Sequence, residues 1–223
     1  MTAVKHFEKN TLGNDYVVSD IHGMFNLLQS KLDELQFNPE VDRLFCGGDS
    51  CDRGTESEKC LEWLNKPWFH SVRGNHEQMI IDAYREEDFR YTQHSLQNGG
   101  GWFFALFEQD KLAYVEAFEA LPYLIEVETD SGLVGIVHAE VENNSWDHTK
   151  TFVNMNEKYT LEKCLWARTR IKSKETTPII GLHKLYVGHT PMKEVTTLGN
   201  VIYVDTGAVY GEDGGFLTIL KIN

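Results

Sequence analysis

Three observations in the sequence predict an α/β fold. A short apolar run, a polar loop and an amphipathic segment follow one another three times between Tyr16 and Tyr84. Each of the three loops sets Asp, His or Asn beside a glycine. No repeat, low-complexity stretch or linker divides the 223 residues, which predicts one domain over 1–223. The pattern is β-α-β-α-β, and its strand-end loops gather at one edge of a sheet.

Tyr16-Val17-Val18 is aromatic and β-branched and predicts the first strand. It ends at Ser19-Asp20-Ile21-His22-Gly23. Phe25, Leu28, Leu32 and Leu35 then recur at helical spacing among polar residues, and Phe37-Asn38-Pro39 stops that helix. Residues 41–46 predict a second strand, running into Gly47-Gly48-Asp49-Ser50-Cys51-Asp52-Arg53-Gly54. A helix is expected over 58–64, broken by Pro67. Residues 69–72 predict a third strand, ending at Arg73-Gly74-Asn75-His76-Glu77, with a helix over 79–84.

The pattern changes over residues 91–121. Gly99-Gly100-Gly101 is a break, followed by Trp102, Phe103, Phe104, Leu106 and Phe107 and then by helical spacing over 112–121. This predicts a helical insertion whose aromatic residues serve as core. Residues 123–129 and 133–137 predict a hairpin about Thr129-Asp130-Ser131-Gly132, delivering His138-Ala139. Residues 140–158 read as loop and 161–170 as helix. Residues 185–187 read as a strand ending at Gly188-His189-Thr190-Pro191, and 201–204 and 216–222 as closing strands.

Composition excludes several classes. A net charge of -13 argues against a nucleic-acid surface, which normally shows a basic stripe. It leaves room for a small anionic substrate where a few cations are concentrated. Cys46, Cys51, Cys60 and Cys164 are scattered without a C-x-x-C pair, so neither a disulfide framework nor a structural zinc site is expected, and a reducing cytoplasm is. Residues 1–10 have no apolar core like that of a secretory leader, and no apolar run is long enough to span a membrane.

The strand-end residues explain one another. Two metal ions account for most of them, because a carboxylate can bridge two cations. Asp49 is expected to be the bridge, with Asp20 and His22 completing one site and Asn75, His138 and His189 the other. Mixed imidazole, carboxylate and amide ligands favour Mn, Fe or Zn over Ca and over Mg alone, with Mn the working expectation. A water bridging two such ions loses a proton near neutral pH and becomes the nucleophile. Arg53 and Arg73 suit phosphoryl oxygens, which a planar guanidinium matches two at a time. His76 is placed to protonate a leaving oxygen, and Asp52 to hold its tautomer and its charge. Taken alone, Asp-x-His-Gly or Gly-Asn-His-Glu is ordinary turn chemistry; five such loops in one chain are not. Glu77 reads as a helix N-terminal charge rather than a ligand.

Together, Asp20-Ile21-His22-Gly23, Gly48-Asp49-Ser50-Cys51-Asp52-Arg53-Gly54, Gly74-Asn75-His76-Glu77, His138, Gly188-His189-Thr190 and the final Val204-Asp205-Thr206-Gly207 resemble the metallo-phosphoesterase superfamily. Within it they resemble the PPP-type serine/threonine protein phosphatases, most of all the compact bacterial and phage members of the lambda type. The resemblance implies a calcineurin-like sandwich of two mixed β-sheets flanked by helices. It implies a phosphoprotein substrate and the ligand, acid and arginine roles given above. It adds Arg168, in Leu165-Trp166-Ala167-Arg168, as a further phosphate contact. Two positions depart from the pattern: Ser19 stands where Gly is usual, and Ala139-Glu140 follow His138.

Three rival readings fit the sequence less well. A symmetrical dinucleoside polyphosphate hydrolase shares the metal site but typically has Gly-Asn-His-Asp and a Pro after Arg-Gly, where Glu77 and Thr55 stand here. Cys164-x5-Arg170 matches the bare pattern of cysteine-dependent phosphatases, yet Leu165-Trp166-Ala167 fill what should be a Gly-rich loop. A non-catalytic relative would lack ligands or the acid, and none is missing.

Overall fold

The computed structural model describes residues 3–223; Met1 and Thr2, the start of the segment read as having no leader, lie outside them. The strands in chain order are β1 (Val4–Phe7), β2 (Asp15–Val18), β3 (Arg43–Cys46), β4 (Phe69–Ser71), β5 (Leu124–Thr129), β6 (Gly132–Val137), β7 (Lys184–Val187), β8 (Thr196–Leu198), β9 (Val201–Tyr203) and β10 (Ile219–Lys221). They form two mixed sheets, one ordered β10-β2-β3-β4 and the other β1-β5-β6-β7-β9-β8. In the first, β2, β3 and β4 are parallel and β10 is antiparallel to β2. In the second, β5 and β6 form the expected hairpin, and β6, β7 and β9 are parallel.

Strand periodicity makes the layers. Successive side chains point to opposite faces. Val17 and Phe45 therefore face the other sheet and join Val72, Ile125, Val127, Val134, Ile136, Tyr186 and Val204 in the core between the sheets. Tyr16, Val18, Leu44 and Cys46 face the opposite way, under the helices α1 (Phe25–Glu34), α2 (Cys60–Leu64) and α3 (Asn75–Arg85), with Phe25, Leu28, Leu32, Trp63 and Ile80. The insertion supplies α4 (Phe89–Gln97), α5 (Gly101–Ala105) and α6 (Glu108–Ala120), and adds Phe103, Tyr114, Val115 and Phe118 to that same layer. The outer face of the larger sheet is covered by α7 (Trp146–Asn154), α8 (Lys158–Trp166) and α9 (Thr169–Ser173). The expected sandwich of two mixed sheets flanked by helices is thus the observed one.

Two expectations need correction, and two strands come in addition. Residues 140–158 are not all loop: they contain α7, capped by the Ser145 side chain, which accepts from the His148 N–H. Its buried face is only Trp146, Thr149 and Val153, and a threonine at the middle position hides the apolar period. The helix expected over 161–170 is two helices. α8 stops at Trp166, Ala167 is extended, and Arg168 is the residue before α9. Strands β1 and β8 were not anticipated, because both are short and half-exposed. Among the described residues no helix is long and apolar enough to cross a membrane.

Candidate metal and phosphate site

The loops after β2, β3, β4, β6 and β7 meet at the carboxyl ends of the parallel strands. Their backbones interlock. His22 and Gly23 N–H donate to the carbonyls of Asp49 and Ser50 at 2.9 Å each. Gly48, at φ +93, lies so near the next loop that a Cβ would sit 2.7 Å from Gly74 N. His22, Asp49, Asp52, Arg53 and His189 all have left-handed backbones, with φ between 45 and 69. Such strain costs about 1–3 kcal/mol per residue and persists only where surroundings enforce it.

Glu77 does the enforcing. It stands at the third position of α3, where its carboxylate accepts from Gly74 N–H at 2.8 Å. It also accepts from Asp49 N–H (3.0 Å), Ser50 N–H (2.7 Å) and the Ser50 hydroxyl (2.8 Å). The helix N-terminal charge expected of Glu77 is therefore also a buried brace that shapes the Asp49 turn.

One cluster joins Asp49, Asn75, His138 and His189. Asn75 Oδ1 lies 2.8 Å from both His138 Nε2 and His189 Nδ1, which are 3.2 Å from each other. Asp49 Oδ2 is 3.4 Å from His138 Nε2. The outward ring nitrogens face carbonyls, which only accept: His138 Nδ1 is 2.7 Å from Gly47 O, and His189 Nε2 is 3.2 Å from Trp166 O. In a neutral ring the proton therefore sits outward and the inward nitrogen carries a lone pair. Burial, with His138 adding to it, holds the His189 pKa down to about 2, so that ring is neutral. Lone pairs of two imidazoles, an amide oxygen and a carboxylate converging on one point suit a cation at the centre.

A second set shares Asp49. The inward atoms of His22, Asp49 and His76 lie within 4.8 Å of one another, as do those of Asp49, His138 and His189. His22 Nδ1 faces the Cys51 carbonyl at 2.9 Å, which leaves Nε2 turned inward, and burial, reinforced by His76 and Arg53, holds its pKa down to about 3. Asp20 accepts the His189 backbone N–H at 3.1 and 3.0 Å and also the Ser19 hydroxyl. Ser19, standing where glycine is usual, thus orients Asp20 through its hydroxyl. The approach is close on the far side too: a Cβ on Gly188 would lie 2.1 Å from Asp20 Oδ1. Burial, then the neighbouring Asp20 and Glu77, raises the Asp49 pKa well above the usual carboxylate range. Asp205, in the run Val204-Asp205-Thr206-Gly207, is pushed up to about 8 by burial and by Asp20. A buried acidic cluster of this kind is stabilised by bound cations.

His76 Nδ1 is 2.7 Å from Asp52 Oδ2, and its Nε2 faces the site, 3.9 Å from Asp49 Oδ2. Burial pushes Asp52 up to about 7 and His76 down to about 3. The pair is therefore drawn toward its neutral form, whereas the sequence led us to expect a carboxylate holding a charged imidazole. Trp102, expected to be core, donates its indole N–H to Asp52 Oδ1 at 2.7 Å.

The arginines divide. Arg53 Nη1 lies 2.7 Å from His22 Nε2, inside the cluster. Arg168 donates to Thr190 Oγ1 (3.2 Å) and to the His189 carbonyl (3.1 Å), at its rim. Arg73 departs from the expected phosphate contact. Its guanidinium donates to Gln78 Oε1 (2.9 Å), the Tyr123 hydroxyl (3.0 Å) and the Glu119 carbonyl (2.6 Å), and lies 4.7 Å from the Tyr123 ring centroid. Cys164 is buried on α8, and burial pushes its thiol up to about 12, far from a nucleophile at neutral pH.

The family model described as calcineurin-like phosphoesterase matches residues 16–213. Serine/threonine-protein phosphatase 2 of Salmonella typhimurium is 37% identical over 215 residues, covering 93% of this chain and 92% of that one. A symmetrical bis(5'-nucleosyl)-tetraphosphatase of Erwinia tasmaniensis is 31% identical over 134 residues, covering 59% of this chain and 46% of that one. The fold is shared with a solved candidate diadenosine tetraphosphatase, with a TM-score of 0.68 and 19% identity over 100% and 98% of the two chains. With five loops that converge on one Asp49-centred site and a family model that spans most of its length, the chain belongs to the calcineurin-like phosphoesterase family.

Proposed function

We propose that this chain is a metal-dependent protein phosphatase that hydrolyses phosphoserine and phosphothreonine monoesters and accepts phosphotyrosine. The observation that carries the reading is Asp49, whose carboxylate is shared by two groups of inward-facing atoms, one with His22 and His76 and one with His138 and His189. The near full-length similarity to a named serine/threonine-protein phosphatase supports it over the tetraphosphatase, whose match is partial.

Asp20, His22 and Asp49 would hold one divalent cation, and Asp49, Asn75, His138 and His189 the other; Mn fits the mixed donor set. When bound, the pair supplies charge neutralisation at the phosphoryl group and lowers the pKa of water. The chain's own residues do the rest. Arg53, beside His22, and Arg168, beside His189, hold the phosphoryl oxygens by charge-assisted hydrogen bonds. In Arg73 we see a strut that ties the loop after β4 to the end of α6. The protonated His76–Asp52 pair presents an Nε2–H to the leaving oxygen, whether the proton between the two groups rests on Asp52 or on Nδ1. No side chain is needed as a nucleophile. Four free cysteines match a reducing cytoplasm.

The test is a panel of phosphoseryl, phosphothreonyl and phosphotyrosyl peptides with diadenosine tetraphosphate, each with and without Mn and EDTA. Metal-dependent cleavage of the peptides is expected. Preference for the dinucleotide, or full activity in EDTA, contradicts the reading.

A further inference from the structure

Trp102, on α5 of the insertion, reaches across to the loop after β3, and its Nε1–H donates to Asp52 Oδ1 at 2.7 Å. Asp52 is fully buried, and its other oxygen is engaged with His76 Nδ1. Each carboxylate oxygen is therefore committed to one ring. An indole N–H can only donate, so this contact fixes which oxygen faces His76 and how the carboxyl plane is turned. The indole is anchored in turn. Its ring packs edge-on against Tyr114, with centroids 5.2 Å apart, and the Tyr114 hydroxyl donates to the Glu58 carbonyl at 2.9 Å. Gly99, just ahead of α5, comes so close that a Cβ would lie 2.6 Å from Arg53 N. The insertion thus grips two adjacent residues of one loop, Asp52 and Arg53.

We propose that Trp102 is a positioning residue for the reaction: through Asp52 it sets the orientation of His76 and makes the helical insertion part of the proton-donating apparatus. The inference rests on reading His76 as the proton donor. In that step a water oxygen forms a new P–O bond and loses its proton to the solvent. The bond to the leaving oxygen breaks with its electron pair, and that oxygen takes the proton from His76 Nε2. A seryl alkoxide needs this proton. A p-nitrophenolate does not, because its ring spreads the charge. A fault confined to the proton donor therefore slows phosphoserine far more than p-nitrophenyl phosphate. A fault in the fold or in the phosphate contacts slows both.

The experiment compares kcat and KM for a phosphoseryl peptide and p-nitrophenyl phosphate in the Mn-loaded enzyme. The variants are Trp102→Phe, benzothienylalanine at position 102 (the same shape without the N–H), and His76→Asn. For His76→Asn the phosphoserine kcat should fall about 10²–10⁴-fold, with a much smaller loss on p-nitrophenyl phosphate. For both changes at position 102 the phosphoserine kcat should fall about 10-fold with KM unchanged and little loss on p-nitrophenyl phosphate. Wild-type rates on both substrates for the benzothienylalanine enzyme, or equal losses on both, would overturn the role of Trp102. If His76→Asn itself loses both substrates equally, the proton-donor reading fails and this inference falls with it.

Discussion

At the scale of single residues, side chains of one type have separate jobs set by their neighbours. Arg53 sits against His22 Nε2, while Arg73 is held by Gln78, Tyr123 and the Glu119 carbonyl. Replacing Arg53 by Leu should raise KM for phosphopeptides at least 10-fold with little change in stability. Replacing Arg73 by Leu should instead cost about 2 kcal/mol of stability, because it leaves three part-buried acceptors unpaired, with the smaller effect on KM. Urea unfolding and steady-state kinetics on both variants check this. A large KM rise with unchanged stability for Arg73→Leu would restore it as a phosphate contact. For Cys164, burial that holds the thiol near pKa 12 predicts that Cys164→Ser keeps wild-type kcat and that iodoacetamide leaves the folded enzyme active. That Asp49, His22, Asn75, His138, His189 and Arg53 come together was legible in the sequence because their loops carry distinctive residues. The direction of Arg73 was not, since its partners lie on α3, at the end of α6 and before β5, and only the fold brings these together. Ser19 and Trp102 were undervalued for a related reason: each acts through one hydrogen bond to a carboxylate, and a hydrogen bond has no periodicity.

At the scale of elements, the site depends on loops that touch backbone to backbone. A Cβ at Gly188 would collide with Asp20 Oδ1, and one at Gly74 would lie 2.2 Å from Asp49 Oδ1. Gly188→Ala should therefore displace Asp20, and Gly74→Ala should displace Asp49. Each should lower activity about 10²-fold or more through misplacement of ligands, checked by the Mn concentration needed for half-maximal rate. Wild-type metal dependence in either variant would show that the loops can relax. The first three strand–loop–helix units were readable because each short strand carries aromatic, aliphatic or β-branched residues and runs into a Gly-containing polar loop, and the first helix repeats apolar residues at three- and four-residue spacing. α7 was not. Its buried face holds only Trp146, Thr149 and Val153, and its N-terminus depends on the Ser145 cap. The same reasoning explains the break at Ala167. Nothing in the local sequence demands an extended residue there, yet the turn brings Arg168 beside His189.

At the scale of the whole molecule, two sheets packed face to face bring five loops from distant parts of the chain to one edge. The result is a crowd of buried acids and neutral imidazoles. In the metal-free protein the sign of its pH dependence follows from Asp52 and Asp205, raised to about 7 and about 8. Each holds a proton in the folded chain that the unfolded chain gives up near pH 4. Their contribution is fully present below that pH and is lost as pH rises through 7 to 8. His22, His76 and His189, held at about 3 or below, are neutral in both states above pH ~6.5 and add no slope there. In EDTA the protein should therefore lose stability from pH 6.5 to 8, by up to about 1.4 kcal/mol per pH unit for each acid until pH passes its folded value, and level off above pH 8. With Mn this loss should shrink or reverse, because nearby cations favour the deprotonated form of these acids. Thermal melts across pH with and without Mn decide it, and a metal-free protein that grows more stable over that range contradicts the assignment. The most direct test of the shared Asp49 is the metal stoichiometry of wild type, Asp20→Asn and Asp49→Asn by calorimetric titration with Mn. Two ions per wild-type chain, one tight ion left in Asp20→Asn, and both sites weakened together in Asp49→Asn are expected. Two ions bound by Asp49→Asn with wild-type affinity would contradict the dimetal centre proposed here.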